Sequence, residues 1–508
     1  MAKFAWYHVA CLLALLLIGC GVRLKNLTKI SVWRDEYWAL YLATGRGDTL
    51  FQIPTQTLVK NPPDVGLDGA PHWWHVWNGL HSVVHPPFYY LLLRWWVDLF
   101  GQSDRSIRML SVLFGLLAIV LIFDSLRLCA GPWSGVIAAA IVTFAPPQID
   151  FSQQARPYTL MACIALSICN VLLRIERRGK SPGKLVWLAL FIALAAMTHY
   201  FDLGILLAAG IYALWSFKGP VRRQSIAVIV SVVLICAAVW LPNFLHSTSA
   251  TRTGLGFTDP HASLPVSILD APQRLLFGVI RNGNWFLAGA MAILVYLLPP
   301  FDRQKRIWWL AAVLPLFTVV ALDLTRHSVL MQIDRYIFAA SPGVCAIAAM
   351  PIGAMPVGRR LGRAVPIAVL FGAVAFGLGR VQQGPDLAPT GSIFQLEDTR
   401  TTAAFLARHL APGDVVVLTN TAIDFPDFEY DAIAHYIGPW KVPIALLNAP
   451  ADDALKRQLC MYPRVWMVGQ NSAEATRRFF PGWRTIQHGG NTAFTSVWEI
   501  QPPTPPAP

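Results

Sequence analysis

Long apolar runs, most close to the length of a bilayer crossing and separated by short turns rich in lysine and arginine, dominate this chain. They lie at roughly 6–24, 107–127, 133–149, 157–173, 185–200, 203–217, 224–242, 285–300, 307–322, 336–353 and 364–380. An α-helix of about 20 apolar residues crosses a hydrocarbon core about 30 Å thick. The pattern therefore predicts an α-helical polytopic membrane protein with about 11 transmembrane helices. With 55% hydrophobic and only 14% charged residues over 508 positions, the chain is too apolar for a soluble enzyme.

The formal net charge of +13 is concentrated in the turns. Arg174, Arg177, Arg178, Lys180 and Lys184 form one basic group, and Lys218, Arg222 and Arg223 another. Arg303, Lys305 and Arg306 follow, then Arg359, Arg360 and Arg363, with Glu176 and Asp302 almost the only acids among them. Such turns mark cytoplasmic loops under the positive-inside rule, so a nucleic-acid partner is an unnecessary explanation for the charge. Placing them inside puts the N-terminus in the cytoplasm and the C-terminal region outside.

Seven cysteines, from Cys11 to Cys345, lie in or at the ends of apolar segments, and Cys460 stands alone in a polar region. No disulfide framework follows from that distribution. Leu17-Ile-Gly-Cys20 has the look of a lipoprotein cleavage box, but an uncleaved first helix is the preferred reading, because it holds the next segment at the surface.

That next segment, Ser31-Val-Trp-Arg-Asp-Glu-Tyr-Trp38, places Asp35 and Glu36 just outside the first span. Carboxylates beside a bilayer face a polar cavity or the interface and are functional candidates, with solvated loop charges as the plain alternative. The same topology brings His85, Arg156, His199, the 243–283 loop and Arg335 to the outer face. Arg156 and Arg335 each begin a span, where a cation can bind an anionic headgroup or simply snorkel. His199 and Asp202 share an outer turn, and Asp323, Arg326, His327, Asp334, Arg335 and Tyr336 cluster on the last large one. The spacings His72-x-x-His75 and His81-x-x-x-His85 also suit a divalent metal, or interfacial hydrogen bonding among Trp73, Trp74 and Trp77. The sequence requires no cofactor, and the metal is left open.

The stretch 85–100 carries Arg94, Asp98 and many aromatics, and reads as an interfacial helix begun by Pro86 and Pro87, with a true span as the alternative. Residues 1–380 are expected to form the membrane domain, with an outer loop at 25–106 bearing the acidic pair. Beyond 380 the chain turns polar. A helix over Thr399–Leu410 and strands at Asp414–Thr419, Arg464–Gly469 and Phe494–Ile500 predict a small periplasmic α/β domain over 381–501. The proline-rich 502–508 reads as a disordered tail.

The order of these motifs resembles the bacterial branch of the membrane glycosyltransferases of the C superfold, the group that includes protein O-mannosyltransferases and lipid A aminoarabinose transferases. The resemblance rests on the Asp35-Glu36 pair, His85-Pro-Pro-Phe-Tyr-Tyr90 followed by Leu99-Phe-Gly101 and Arg108, Gln154-Ala-Arg-Pro-Tyr158, His199-Tyr200 and Arg335-Tyr336. Glu397-Asp398 and Pro412-Gly-Asp-Val-Val416 look like the entry to that family's soluble domain. The motifs are short; their order and common face carry the likeness across most of the membrane region.

The resemblance implies a polyprenyl-phosphate-linked sugar donor, an envelope acceptor (glycolipid, polysaccharide or protein), transfer at the outer face and inversion at the anomeric carbon. An attacking hydroxyl needs a base, a role that falls to Asp35 with Glu36 in support. A departing lipid phosphate needs fixed positive charge, which Arg335 and Arg156 supply as forked donors, with His85 and Tyr336 beside them. Some relatives carry lysine where this chain has His85. Tyr158, His199, Tyr200 and His327 are further substrate-binding candidates. The rivals are a lipid-linked sugar transporter or flippase, and a nonenzymatic polysaccharide-assembly protein. Transporters bind near the midplane between repeated halves; here the polar residues gather at one face and no internal repeat is evident.

Overall fold

A computed structural model describes residues 4–47, 52–80, 85–251, 305–326, 328, 330–354, 399–419, 426–469, 472–488 and 496–502, with single positions at 372, 375 and 379. Helices in chain order are α1 (Trp6–Leu24), α2 (Arg34–Ala43), α3 (His75–Gly79), α4 (Phe88–Phe100), α5 (Asp104–Cys129), α6 (Pro132–Phe144), α7 (Pro146–Asp150) and α8 (Tyr158–Arg178). They continue with α9 (Pro182–Thr198), α10 (Leu203–Ser216), α11 (Gly219–Thr251), α12 (Arg306–Arg326), α13 (Asp334–Ile337) and α14 (Ser341–Ala354), then α15 (Thr399–His409), α16 (Asp427–Ile437), α17 (Asp453–Leu459) and α18 (Ser472–Phe479). The strands are β1 (Leu58–Val59), β2 (Val415–Thr419), β3 (Ile444–Leu447), β4 (Val465–Gly469), β5 (Arg484–Gln487) and β6 (Ser496–Gln501).

The chain forms two compact units, one bounded by Met1–Leu27, His81–Tyr89 and Arg108–Gly391, the other by Thr28–Leu80, Tyr90–Ile107 and Ser392–Pro508. Most of the outer loop expected at 25–106, namely Thr28–Leu80 and Tyr90–Ile107, groups with the second unit, and 25–27 and His81–Tyr89 with the first. The loop contributes β1 to the sheet of the second unit, antiparallel to β3, with Leu58 opposite Ala445. Backbone pairing of that kind is available to any extended segment, so composition alone does not announce it.

The first unit is helical. Among the described residues, five helices are long and apolar enough to cross a membrane, or six if the bent pair α6–α7 counts as one. This is fewer than the expected eleven or so. The runs at 185–200 and 203–217 form the shorter α9 and α10, and those at 285–300 and, apart from three single positions, 364–380 fall outside the described residues. The run at 133–149 is broken by 63° between α6 and α7. Its cause is local: Pro146 pushes Ala145 into extended backbone (φ −62°, ψ 126°) and supplies no amide hydrogen to continue the ladder.

Breaking a helix orphans its last carbonyls. Arg23, fully buried near the end of α1, donates to two of them, from Nη2 to Val142 O at 2.8 Å and from Nη1 to Thr143 O at 3.2 Å. Its Nε reaches Ser152 Oγ at 3.1 Å. In return Gln153 Nε2 donates to Arg23 O and Lys25 O, both at 2.8 Å.

Small residues then let helices approach. A Cβ on Gly204 of α10 would lie 2.3 Å from Pro315 Cα of α12, and one on Gly343 of α14 would lie 2.5 Å from Ala312 N. Large apolar side chains such as Leu17, Trp187, Leu234 and Phe317 stay exposed, as suits a lipid-facing surface. α11 runs through Pro242 to Thr251, so the expected 243–283 loop begins as helix. Arg174 is more than a solvated basic residue: it pairs with Asp124 and donates to Asn170 Oδ1 at 2.7 Å.

In the second unit the six strands take the order β1-β3-β2-β4-β6-β5. β2 runs parallel to both β3 and β4, and β6 antiparallel to β4 and β5. The three strands read from the sequence are β2, β4 and β6. β2, β3 and β4 are buried at every position, the mark of strands covered on both faces. Val416, Leu418, Leu446, Trp466 and Val468 face one core, which also takes Tyr41, Ile53 and Val65 from the outer loop. Val415, Val417, Leu447 and Met467 face the other with Leu455 and Phe479. α4, at 13 residues, is about 20 Å long, too short to span alone; Trp95, Leu99 and Phe100 are exposed on it.

Candidate functional site

In the first unit the sequence motifs of four separate segments meet. His85 precedes α4, Arg156 lies in the turn before α8, His199 links α9 to the next turn, and Arg335 sits in the short α13. Arg335 therefore stands in a separate helical turn before the longer α14, rather than on the first turn of a straight span. The imidazoles of His85 and His199 lie 5.5 Å apart, centroid to centroid. Burial, reinforced by the charges of Arg156 and Arg335, pulls His85 down to about 3. The same causes, with His85 itself, hold His199 well below the ordinary histidine range. Both rings are neutral at physiological pH, beside two permanent cations.

His199 accepts a hydrogen bond from Phe201 N–H at Nδ1, 3.2 Å away, so its proton resides on Nε2. That Nε2 is buried and makes no hydrogen bond among the described residues. The ring stacks on Phe201 (5.1 Å), which in turn meets Tyr336 at 4.9 Å. Arg335 lies over the Tyr336 ring, with Cζ 5.1 Å from its centroid, and donates to its hydroxyl at 3.4 Å. Arg156 is 5% exposed and lies 5.8 Å from the Tyr158 centroid. Its own carbonyl accepts from Ser111 Oγ at 3.3 Å. Two guanidiniums and an N–H donor on a rigid aromatic bed are suited to a phosphate or another compact anion.

The acidic pair belongs to the second unit, in the first turn of α2. Glu36 is fully buried, and its Oε2 accepts the Trp33 N–H at 3.1 Å, closing the helix N-terminus as a capping-box glutamate does. Asp35 is only half-buried. The segment entering α2 is tied down by residues that the sequence did not advertise. Tyr436 Oη accepts from Val32 N–H at 2.8 Å and donates to Asp104 at 2.9 Å. Asp104 also pairs with Arg400, whose guanidinium reaches Thr28 O at 3.1 Å. These partners lie 296 positions apart, beyond any local pattern.

Other candidates are placed differently. Tyr200 accepts from Trp240 Nε1 at 2.9 Å and packs on Phe244, on the side of α11. Asp323 is occupied in closing its own turn, accepting from Ser328 Oγ at 2.7 Å, Leu330 N at 2.8 Å and Met331 N at 2.9 Å. His327 and His81 lie outside the described residues. His72 stacks on Trp74 at 4.4 Å, and no cluster of three metal-ligating side chains occurs among the described residues.

Residues 84–246 match the family model described as dolichyl-phosphate-mannose-protein mannosyltransferase. No curated protein matches the sequence. The fold is similar to that of ArnT from Cupriavidus metallidurans bound to undecaprenyl phosphate, with a TM-score of 0.58 at 13% identity over 98% of each chain. For the apo state of that protein the TM-score is 0.59, again at 13% identity, over 97% of each chain. Arabinofuranosyltransferase AftD from Mycobacteria matches with a TM-score of 0.52 at 13% identity, over 99% of this chain and 40% of that one. At such identity the likeness establishes the architecture.

Proposed function

We propose that this chain, which has the C superfold of membrane glycosyltransferases, moves a monosaccharide from a polyprenyl-phosphate donor to an envelope acceptor with inversion. The observation that carries the reading is the meeting of Arg156 and Arg335 around two neutral histidines. Two guanidiniums brought together in a membrane protein attract a phosphate anion through charge-assisted, forked hydrogen bonds. Undecaprenyl phosphate in the bound ArnT structure is a ligand of that chemistry.

In this reading the acceptor hydroxyl attacks the anomeric carbon as the bond to the lipid phosphate breaks. Asp35 takes the hydroxyl proton. Arg335 and Arg156 stabilise the phosphate dianion that departs, and the Nε2–H of His199 adds a neutral donor. His85 contributes as a neutral ring, and Tyr336 fixes the Arg335 guanidinium. Glu36 supports Asp35 by fixing the first turn of α2. The reaction runs at the periplasmic face of the inner membrane, with the N-terminus cytoplasmic and the sheet unit periplasmic. No step calls for a divalent metal.

Purified protein in lipid nanodiscs, supplied with polyprenyl-phosphate sugars and envelope acceptors, tests the assignment. Asp35→Asn should keep donor binding and lower turnover roughly 10²–10⁴-fold, the usual scale for a general base. Arg335→Ala should lose both donor affinity and turnover, and Arg335→Lys should recover part of each, because lysine keeps the charge but not the fork. Unchanged donor binding in Arg335→Ala would reduce that arginine to a snorkelling anchor. Near-normal transfer by Asp35→Asn would remove the base assignment.

A further inference from the structure

The second unit contains a cleft of about 320 Å³ that the proposed transfer chemistry leaves unused. Tyr37 and Tyr41 of α2 line it, facing Asp64 and Asp68 of the outer loop, Gln102, and Asp431 and His435 of α16. Its size falls at the small end of ligand pockets, which run from about 300 Å³ upward, and suits about one or two sugar rings.

Two of the polar side chains in this wall, Asp431 and Gln102, carry a buried atom without a hydrogen bond among the described residues. Asp431 is 4% exposed, and its Oδ2 makes no hydrogen bond among the described residues; Gln102 Nε2 is buried in the same condition. Burial pushes the Asp431 carboxyl well above the usual carboxylate range. A buried polar group without a partner is unfavourable, and a ligand that completes it recovers the loss. A hydroxyl group does so for both atoms, since it donates and accepts at once.

The opposite wall is already rigid. Asp64 Oδ1 accepts Gly66 N–H at 2.9 Å, and Arg46 Nη2 holds Gly66 O at 3.0 Å and Asp68 O at 2.7 Å from outside the cleft. Among the described residues no lysine or arginine lines the cavity, whereas Asp64 and Asp68 do. Phosphate- or carboxylate-bearing ligands are repelled; hydroxyl-rich neutral ones are not. Tyrosine rings supply the apolar surface that the C–H face of a sugar requires.

We propose that this cleft, lined in part by the helix whose first turn carries Asp35, is an acceptor-glycan subsite that binds an uncharged saccharide unit through Asp64, Gln102 and Asp431. The proposal rests on the transferase reading for the word acceptor, but saccharide binding itself is separable from transfer.

Saturation-transfer NMR on the full-length protein in nanodiscs, with methyl glucoside, N-acetylglucosamine and glucose 6-phosphate as probes, tests it. Transfer to the uncharged sugars should exceed that to the phosphate ester, and should fall at least several-fold in Gln102→Ala and in the near-isosteric Asp431→Asn. Polyprenyl-phosphate binding, measured in parallel, should be unchanged in both variants. Signal from none of the uncharged sugars, equal signal in wild type and both variants, or preference for glucose 6-phosphate would overturn the subsite. Saccharide binding by a protein that transfers nothing from a polyprenyl-phosphate donor would defeat the transferase reading and leave the cleft standing. Active transfer without saccharide binding would do the reverse.

Discussion

His85 shows how a single side chain reports the field around it. Its folded-state value of about 3 lies below the value near 6.5 that an unfolded chain would give. Between those limits the unfolded state binds a proton that the folded state refuses. The stability this ring contributes is therefore present above pH ~6.5 and is lost as pH falls toward 3. His199 is shifted in the same direction and adds to the slope. Thermal midpoints in nanodiscs should decline from pH 7 to pH 4, and His85→Gln should flatten the decline without abolishing it. Binding of polyprenyl phosphate should also reduce it, because an anion beside Arg156 and Arg335 relieves the part of the shift that those cations add to the effect of burial. An identical slope in wild type and His85→Gln would mean that protonation of this ring is not linked to folding.

At the scale of elements, the joint between α1 and the broken α6–α7 pair combines a proline break, an arginine and a glycine. The break frees carbonyls, Arg23 satisfies them, and Gly115 makes room: a Cβ there would lie 2.3 Å from Ser152 Oγ and 2.9 Å from Arg23 Nε. Arg23→Leu should destabilise the protein by about 3 kcal/mol, the scale of leaving more than one buried acceptor unpaired. Gly115→Val should also destabilise it, through steric conflict rather than lost hydrogen bonds. Denaturant titration in micelles checks both; unchanged midpoints would show the joint to be dispensable. Arg23 was visible as a charge inside an apolar run, a signal that the sequence reading passed over. The break itself was legible at Pro146-Pro147, although hydropathy alone draws a straight span there.

Across the whole molecule, what the sequence revealed depended on the range of the interaction. Apolar runs and strand alternation are local, so the helices and β2, β4 and β6 could be read directly. His85, Arg156, His199 and Arg335 could be grouped because topology sends their loops to one side. The partners of α2 could not: Asp104, Arg400 and Tyr436 meet only after folding, and β1 is two residues long. Sidedness is the remaining test. Cys460 is exposed, so a membrane-impermeant maleimide applied to spheroplasts should label it, while a cysteine placed at Lys180 should stay protected until the membrane is opened. The opposite pattern would invert the proposed orientation of the transfer reaction.

The pairing of Leu58 with Ala445 also sets a schedule. α2 leaves the ribosome long before the strands and helices that cover Tyr41, Ile53 and Val65. Until β3 is made, the helix bearing Asp35 has no sheet unit to join and its apolar side stays open to proteases and chaperones. A long loop of this kind closes slowly. A ribosome that stops before β3 thus leaves behind a membrane protein with an unfinished acid-bearing arm.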